Sequence, residues 1–297
     1  MDNLFGMPLF ALTAQLLVGL VNGSFYALLS LGLAIIFGLL HVINFSHGAL
    51  YMVGAFVGWL LCMQWGVDFW VAMAIVPVVV GLLGVVIEIL LLRRLAGLDP
   101  VYSLLLTFGI ALVLEAVFRY MYGSSGRPFL PPPGLSGGVN LGFMFLPIYR
   151  GFIILVSIFV CLGIWLLFEK TMFGAYLRAA TENPTLVRVF GVNVPVLLTG
   201  TFALGCGLAG FAGLIAGPAL QVSPLMGSHI IIVVFAVVVI GGMGSIGGSI
   251  VMGFALGVIE AITKVVYPEA ANLIVFIMMA IVLCLRPSGL FGKGIQA

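Results

Sequence analysis

The sequence predicts an all-α, polytopic membrane protein, and three observations carry that prediction. Of the 297 residues, 63% are hydrophobic and only 7% charged, against about 45–50% apolar and about 25% charged in soluble domains. Apolar runs repeatedly reach the roughly 20 residues that a helix needs to cross a bilayer. No Asp, Glu, Lys or Arg occurs between Asn3 and Val67. The runs are continuous and Leu-rich, without the short alternating segments of a membrane β-barrel. A net charge of +2, with the basic residues scattered through short loops, gives no footprint for nucleic acid.

Taken in order, apolar spans are expected near 9–38, 48–65, 70–92, 101–122, 151–168, 196–217, 228–244, 249–266 and 270–285. The accepted range is about eight to ten crossings, because Gly and Pro around 218–228 allow broken or re-entrant segments. The first span follows MDNLFGMPLF, which has an acid and no Lys or Arg. It lacks the basic region of a cleaved signal peptide, so the first helix is expected to be retained. All 297 residues form one transmembrane permease domain in this reading. Cys62, Cys161, Cys206 and Cys284 stand singly in or beside apolar runs, without CxxC spacing, which suits packing.

Two connections are long. Residues 123–150 combine Pro and Gly and read as an irregular external loop. Residues 169–195 carry mixed charge in two short amphipathic pieces either side of Asn183-Pro184, and read as a structured surface element. Placing that element in the cytoplasm puts Arg93, Arg94, Lys170, Arg178, Arg188, Arg286 and Lys293 inside, against Arg119, Arg127, Arg150 and Lys264 outside.

The first long helix is followed by HVINFSHGAL (41–50), and the helix over 196–217 by GPALQVSPLMGSH. Paired interruptions in two halves predict an inverted repeat with a path at its interface. In the first, His41, Asn44, Ser46 and His47 sit among apolar residues. A break in helicity frees backbone groups that short polar side chains can satisfy, and breaks are tolerated only inside protein or beside a water-filled cavity. The cluster therefore marks either a substrate path or an interfacial turn. Asn44, Ser46 and His47, with Gln221, Ser223 and His229 from the second interruption, are the candidate path or gate residues. His41 and His47, six apart, fall on opposite helix faces and make a poor metal pair. No metal site is expected.

The small-residue stripes Gly205-Ala209-Gly213-Gly217 and Gly253-Gly257 predict close helix packing. GGMGSIGG (241–248) contains a formal GxGxxG but lies between two membrane spans, so a tight turn is expected there and not a dinucleotide site. No GxxxxGK[ST] loop occurs, so any nucleotide is expected on another subunit. Glu88, Glu115 and Glu260 lie near span ends, where Arg93, Arg119 or Lys264 can partner them. No acid–base pair stands at a span centre and no nucleophile–base constellation occurs. No catalytic residue is assigned, and the chain is read as a transport subunit and not an enzyme.

The order FYALLSLGLAIIFGLLHVINFSHGALYMVGAF, RAATENPTLVRVFGVNV, GFAGLIAGP, VVIGGMGSIGGSIVMGFALGVIEA and RPSGLFG resembles the LivH-type permeases of branched-chain amino acid ABC importers, over nearly the whole chain. The resemblance implies a bacterial inner-membrane subunit paired with a related, LivM-like permease, two cytoplasmic ATPases that carry the ATP and Mg, and a periplasmic solute-binding protein. No cofactor is then expected in this chain. It implies alternating access, with Arg178, Ala180, Thr181, Glu182, Asn183, Val189 and Gly191 in the segment that docks on the ATPase. Family members often carry Glu directly after the His-Gly of the first motif and Lys eight residues before the later Gly-Gly; here stand Ala49 and Val233. Either the path is less polar, leaving room for an aromatic or more hydrophobic carboxylate, an amide or urea, or neither position faces it. A self-sufficient channel for a small neutral solute, or a secondary carrier, remain the alternatives from other classes.

Overall fold

A computed structural model describes residues 3–4, 7–40, 42–95, 97–140, 145–271 and 273–292. The sequence expectations on His41 and Lys293 lie outside these residues. Helices in chain order are α1 Leu9–Leu40, α2 Ser46–Trp59, α3 Phe69–Leu90, α4 Pro100–Tyr122, α5 Ile148–Lys170, α6 Met172–Glu182, α7 Pro184–Val189, α8 Val194–Leu220, α9 Met226–Gly241, α10 Ile246–Val266 and α11 Ile274–Leu285. Among the described residues, α6 and α7 form the surface element and nine apolar helices match the nine expected spans. Seven are long and apolar enough to cross a membrane, α2 with the help of a π-helical turn over Leu60–Gln64; α9 and α11 are shorter. Two small antiparallel ribbons pair Asn3–Leu4 with Met7–Pro8 and Gly138–Asn140 with Phe145–Pro147.

Helix starts are capped where polar residues interrupt the apolar runs. Asp68 accepts from the Trp70 N–H at 2.8 Å, and Asp99, followed by Pro100, accepts from the Val101 N–H at 2.9 Å. GGMGSIGG forms the expected turn: Gly242 and Gly244 have φ of 101° and 86°, and Ser245 caps α10 by accepting from the Gly248 N–H at 3.2 Å.

The helices form two quartets, α1–α4 and α8–α11, with matching neighbours: α4 leans on α2 as α11 leans on α9, and α2 meets α3 as α9 meets α10. Across the quartets α10 lies along α1 as α3 lies along α8, while α1 meets α8 and α2 meets α9. Both like-with-like contacts run through glycine. A Cβ at Gly32 would lie 2.8 Å from the Gly205 carbonyl, and one at Gly205 2.9 Å from the Gly32 carbonyl. The quartets run in opposite senses. The C-terminal ends of α1 and α5, the α9–α10 turn and residues 287–292 share one face with α6, whereas Trp59, Pro128, Tyr149 and Ile215 meet at the other. This is the inverted repeat that the paired interruptions predict.

α1, α2 and α8 occupy the centre; α4 and α5 are peripheral and present Leu105, Val113, Leu155 and Phe159 outward. Glu88, Glu115 and Glu260 each meet the expected cation, at 2.9 Å from Arg93, 2.7 Å from Arg119 and 2.6 Å from Lys264.

Candidate translocation and coupling elements

The first interruption is a compact polar turn inside the protein. Asn44, Ser46 and His47 are fully buried. The Asn44 Oδ1 accepts from the Ser46 N–H at 3.1 Å and from the Ser46 hydroxyl at 2.5 Å, holding the first turn of α2. From α4, the Thr107 hydroxyl bonds the backbone on both sides of Asn44: it accepts from the Phe45 N–H at 3.2 Å and lies 3.2 Å from the Ile43 carbonyl. The His47 Nε2 sits 3.1 Å from the Leu29 carbonyl of α1. The Asn44 Nδ2 and His47 Nδ1 have no hydrogen-bond partner among the described residues.

The second interruption is built differently. Gln221 ends α8 with a positive φ of 67° and is exposed, Ser223 is half-buried and His229 is exposed. Val222 pairs with Arg127 of the loop through two backbone bonds, at 2.7 and 3.0 Å. The Arg127 side chain donates to the Tyr122 carbonyl at 2.8 Å, and its guanidinium stands 6.0 Å from the Trp59 ring centre. The loop over 123–140 is thus fastened to the second break, a link that sequence reading missed because Arg127 and Val222 are 95 residues apart.

The two breaks touch at Gly48 and Gly227, where a Cβ on Gly48 would lie 2.6 Å from the Gly227 carbonyl. Beside this contact is a cleft of about 60 Å³, lined by Phe45, Ala49, Met52, Glu115, Ser228 and Ile231 among others. The six candidate path residues do not form one surface: three lie in the buried turn, while Gln221 and His229 are on the exposed rim and Ser223 lies between. Ala49 faces the cleft. Val233 packs elsewhere, against the small core of Ala236, Val237, Ile240, Met252, Leu256, Val275 and Val282.

At the opposite face α6 and α7 form a knuckle. Ala180, Val187 and Val194 pack together beneath it, with Leu197 and Leu198 of α8 against them. The Asn183 side chain caps α7, accepting from the Leu186 N–H at 3.0 Å, and Gly191 takes a φ of 83° where the chain turns toward α8. Arg178 donates to the Phe168 carbonyl at 2.7 Å and lies 3.7 Å from Glu169, tying α6 to α5. Thr181 donates to the Arg178 carbonyl at 2.7 Å. Glu182 is exposed, as are the apolar Leu186, Val189 (78%) and Phe190 (83%). A cavity of about 1180 Å³ opens beside the knuckle, lined by α1, α5, α6 and the α9–α10 turn and including Trp165, Arg178, Glu182 and Ser245.

Comparison with known proteins places the chain in a family. The family described as "Branched-chain amino acid transport system / permease component" matches residues 15–283. The chain is 28% identical over 292 residues to the high-affinity branched-chain amino acid transport system permease protein BraD of Pseudomonas aeruginosa, covering 94% of this chain and 95% of the relative. It is 26% identical over 295 residues to the LivH protein of Escherichia coli, with the same coverage. A probable LivH protein of Methanocaldococcus jannaschii is 27% identical, over 92% of this chain and 90% of the relative. No solved structure matches the chain.

Proposed function

Because the chain belongs to the family of branched-chain amino acid transport system permease components, we propose that it is the membrane subunit of an ATP-binding-cassette importer for a branched-chain or otherwise hydrophobic amino acid. It works in a bacterial inner membrane with a second, LivM-like permease, two cytoplasmic ATPases holding ATP and Mg, and a periplasmic binding protein. Transport proceeds by alternating access driven by the ATPases.

The observation that carries this reading is the knuckle. Leu186, Val189 and Phe190 are exposed on a mixed-charge element that lies outside the apolar helices, so membrane lipid does not account for their apolar surface. Such a surface suits docking onto a soluble partner. The chain carries no phosphate loop of its own, which fits ATP hydrolysis by that partner. Ala180, Val187 and Val194 beneath the knuckle give it a small core of its own, so it can pass a push from the partner to α8 as a unit.

Substrate choice is expected to rest largely with the binding protein. Of the two apolar departures, Ala49 lies where side-chain polarity can act on the cleft between the breaks, and Ala49→Glu tests whether it does. The reading as a whole is tested by reconstitution: uptake of leucine into liposomes requires the ATPases, ATP and the binding protein. Uptake by this chain alone would instead support a self-sufficient channel or secondary carrier.

A further inference from the structure

Gly81, Gly84, Gly207 and Gly210 bring α3 against α8, and Gly19, Gly23, Gly253 and Gly257 bring α1 against α10, but a glycine-lined contact offers close approach with little to resist sliding. Directional bonds fix the register at one end of each contact. At the knuckle face Arg93 grips Glu88 with two bonds, at 3.1 and 2.9 Å, and donates to the Thr199 hydroxyl at 2.5 Å. That hydroxyl lies 2.8 Å from the Glu88 carboxylate, with the Pro195 carbonyl as a second acceptor at 2.9 Å. At the opposite face the Tyr26 hydroxyl donates to Glu260 at 2.6 Å, and Lys264 donates to its other oxygen at 2.6 Å. Glu88 and Glu260 are both buried, at 6% and 7% exposure.

The two clusters are counterparts in the inverted repeat. Each has a carboxylate on the third helix of one quartet, a hydroxyl on the first helix of the other, and a cation one turn beyond the carboxylate. Glu88 and Glu260, and Tyr26 and Thr199, are separated along the chain by the interval that relates Gly32 to Gly205, to within one residue. They differ in their surroundings. Thr199 lies five residues beyond Val194 on α8 and directly follows Leu198, both packed in the core under the knuckle, whereas Tyr26 and Glu260 are at the face away from it.

We infer that Glu88, Arg93 and Thr199 form a latch that carries the displacement of the α6–α7 knuckle from α8 into α3, while Glu260, Tyr26 and Lys264 only hold the other face together. The latch residues are positioning residues, and the inference rests on the importer reading above. Breaking the latch lets α8 slip along α3, so hydrolysis continues while less of it moves solute.

The test uses the complete importer in liposomes, with leucine, its binding protein and ATP, and reads leucine moved per ATP hydrolysed together with the amount of assembled complex. Glu88→Gln and Thr199→Val lower the ratio at least about fivefold, the lower end of typical coupling between sites. Thr199→Ser, which keeps the hydroxyl, restores it, and Glu260→Gln leaves it unchanged. An unchanged ratio in Glu88→Gln and Thr199→Val overturns the latch. So does an equal fall in Glu260→Gln, or a serine variant no better than valine. If Glu88→Gln fails to assemble, the uncharged Thr199 pair decides. Wild-type uptake that needs no ATP overturns the importer reading and the latch with it; an ATP-driven wild type with normally coupled variants overturns the latch alone.

Discussion

Asn44 shows how a single residue makes a membrane-buried break tolerable. Its carboxamide oxygen satisfies the Ser46 N–H and hydroxyl, groups that would otherwise be orphaned where no water reaches. Replacing it with alanine leaves both donors unmet, so Asn44→Ala is expected to cost about 1–3 kcal/mol, read as a lower Tm of the purified chain in detergent. An unchanged Tm would show that Asn44 is not holding the turn. A break in the helix here is legible in the sequence, since His41, Asn44, Ser46 and His47 crowd into seven residues of a run without charge from Asn3 to Val67. Its partners are not. Thr107 and Leu29 arrive from α4 and α1, and only the packed fold brings a hydroxyl and a helix carbonyl to those places. The partners of Glu115 and Glu260 are legible, because Arg119 and Lys264 stand four residues beyond them on one helix face.

At the scale of elements, periodic apolar runs locate the helices, and the division of 169–195 at Asn183-Pro184 is visible because asparagine caps and proline opens a helix. Less legible is why the two interruptions differ. One is held by its own short polar residues together with Thr107 of α4, and the other pairs its backbone with Arg127 of a loop, a distinction set by tertiary neighbours. The closest contact between them is backbone against backbone at Gly48 and Gly227, with the Ile231 side chain beside it. Gly227→Val therefore forces α2 and α9 apart, an overpacking cost of about 1–3 kcal/mol or more, and is expected to lower both Tm and uptake, whereas Gly109→Ala, facing open space on α4, should leave them unaltered. The knuckle makes a separate prediction. If Val189 and Phe190 dock on the ATPase, Phe190→Ser removes an aromatic anchor of the kind that contributes at least about 2 kcal/mol to a binding surface. The ATPase retained on the immobilised permease then falls more than about tenfold, with the permease still folded. Glu182→Ala and Gly191→Ala, which alter the rim and the turn of the knuckle, are expected to leave assembly detectable and to reduce uptake per ATP. Normal coupling in both would move the coupling site elsewhere.

For the whole molecule, the inverted repeat fixes which helix ends share a face, and the basic residues then choose which face is cytoplasmic. Arg93, Arg94, Lys170, Arg178, Arg188 and Arg286 belong to one side, and Arg119, Arg127, Arg150 and Lys264 to the other. The first side is the one that presents the knuckle, so the positive-inside rule and the need for a cytoplasmic docking surface point the same way although they rest on different residues. The prediction is that α1 begins outside. In a variant with Cys62, Cys161, Cys206 and Cys284 replaced, a cysteine introduced as Thr185→Cys, at the exposed start of α7, reacts with a membrane-impermeant thiol reagent only after the inner face is opened. One introduced as Gly134→Cys, in the loop over 123–140 where a side chain meets nothing within 4 Å, reacts in intact cells. Reversed labelling would put the knuckle outside, out of reach of any ATPase, and the exposed Leu186, Val189 and Phe190 would then require a periplasmic partner. Because both cysteines sit at exposed positions outside the apolar helices, neither outcome depends on which helices line the solute path, and the orientation can be decided before the substrate is known.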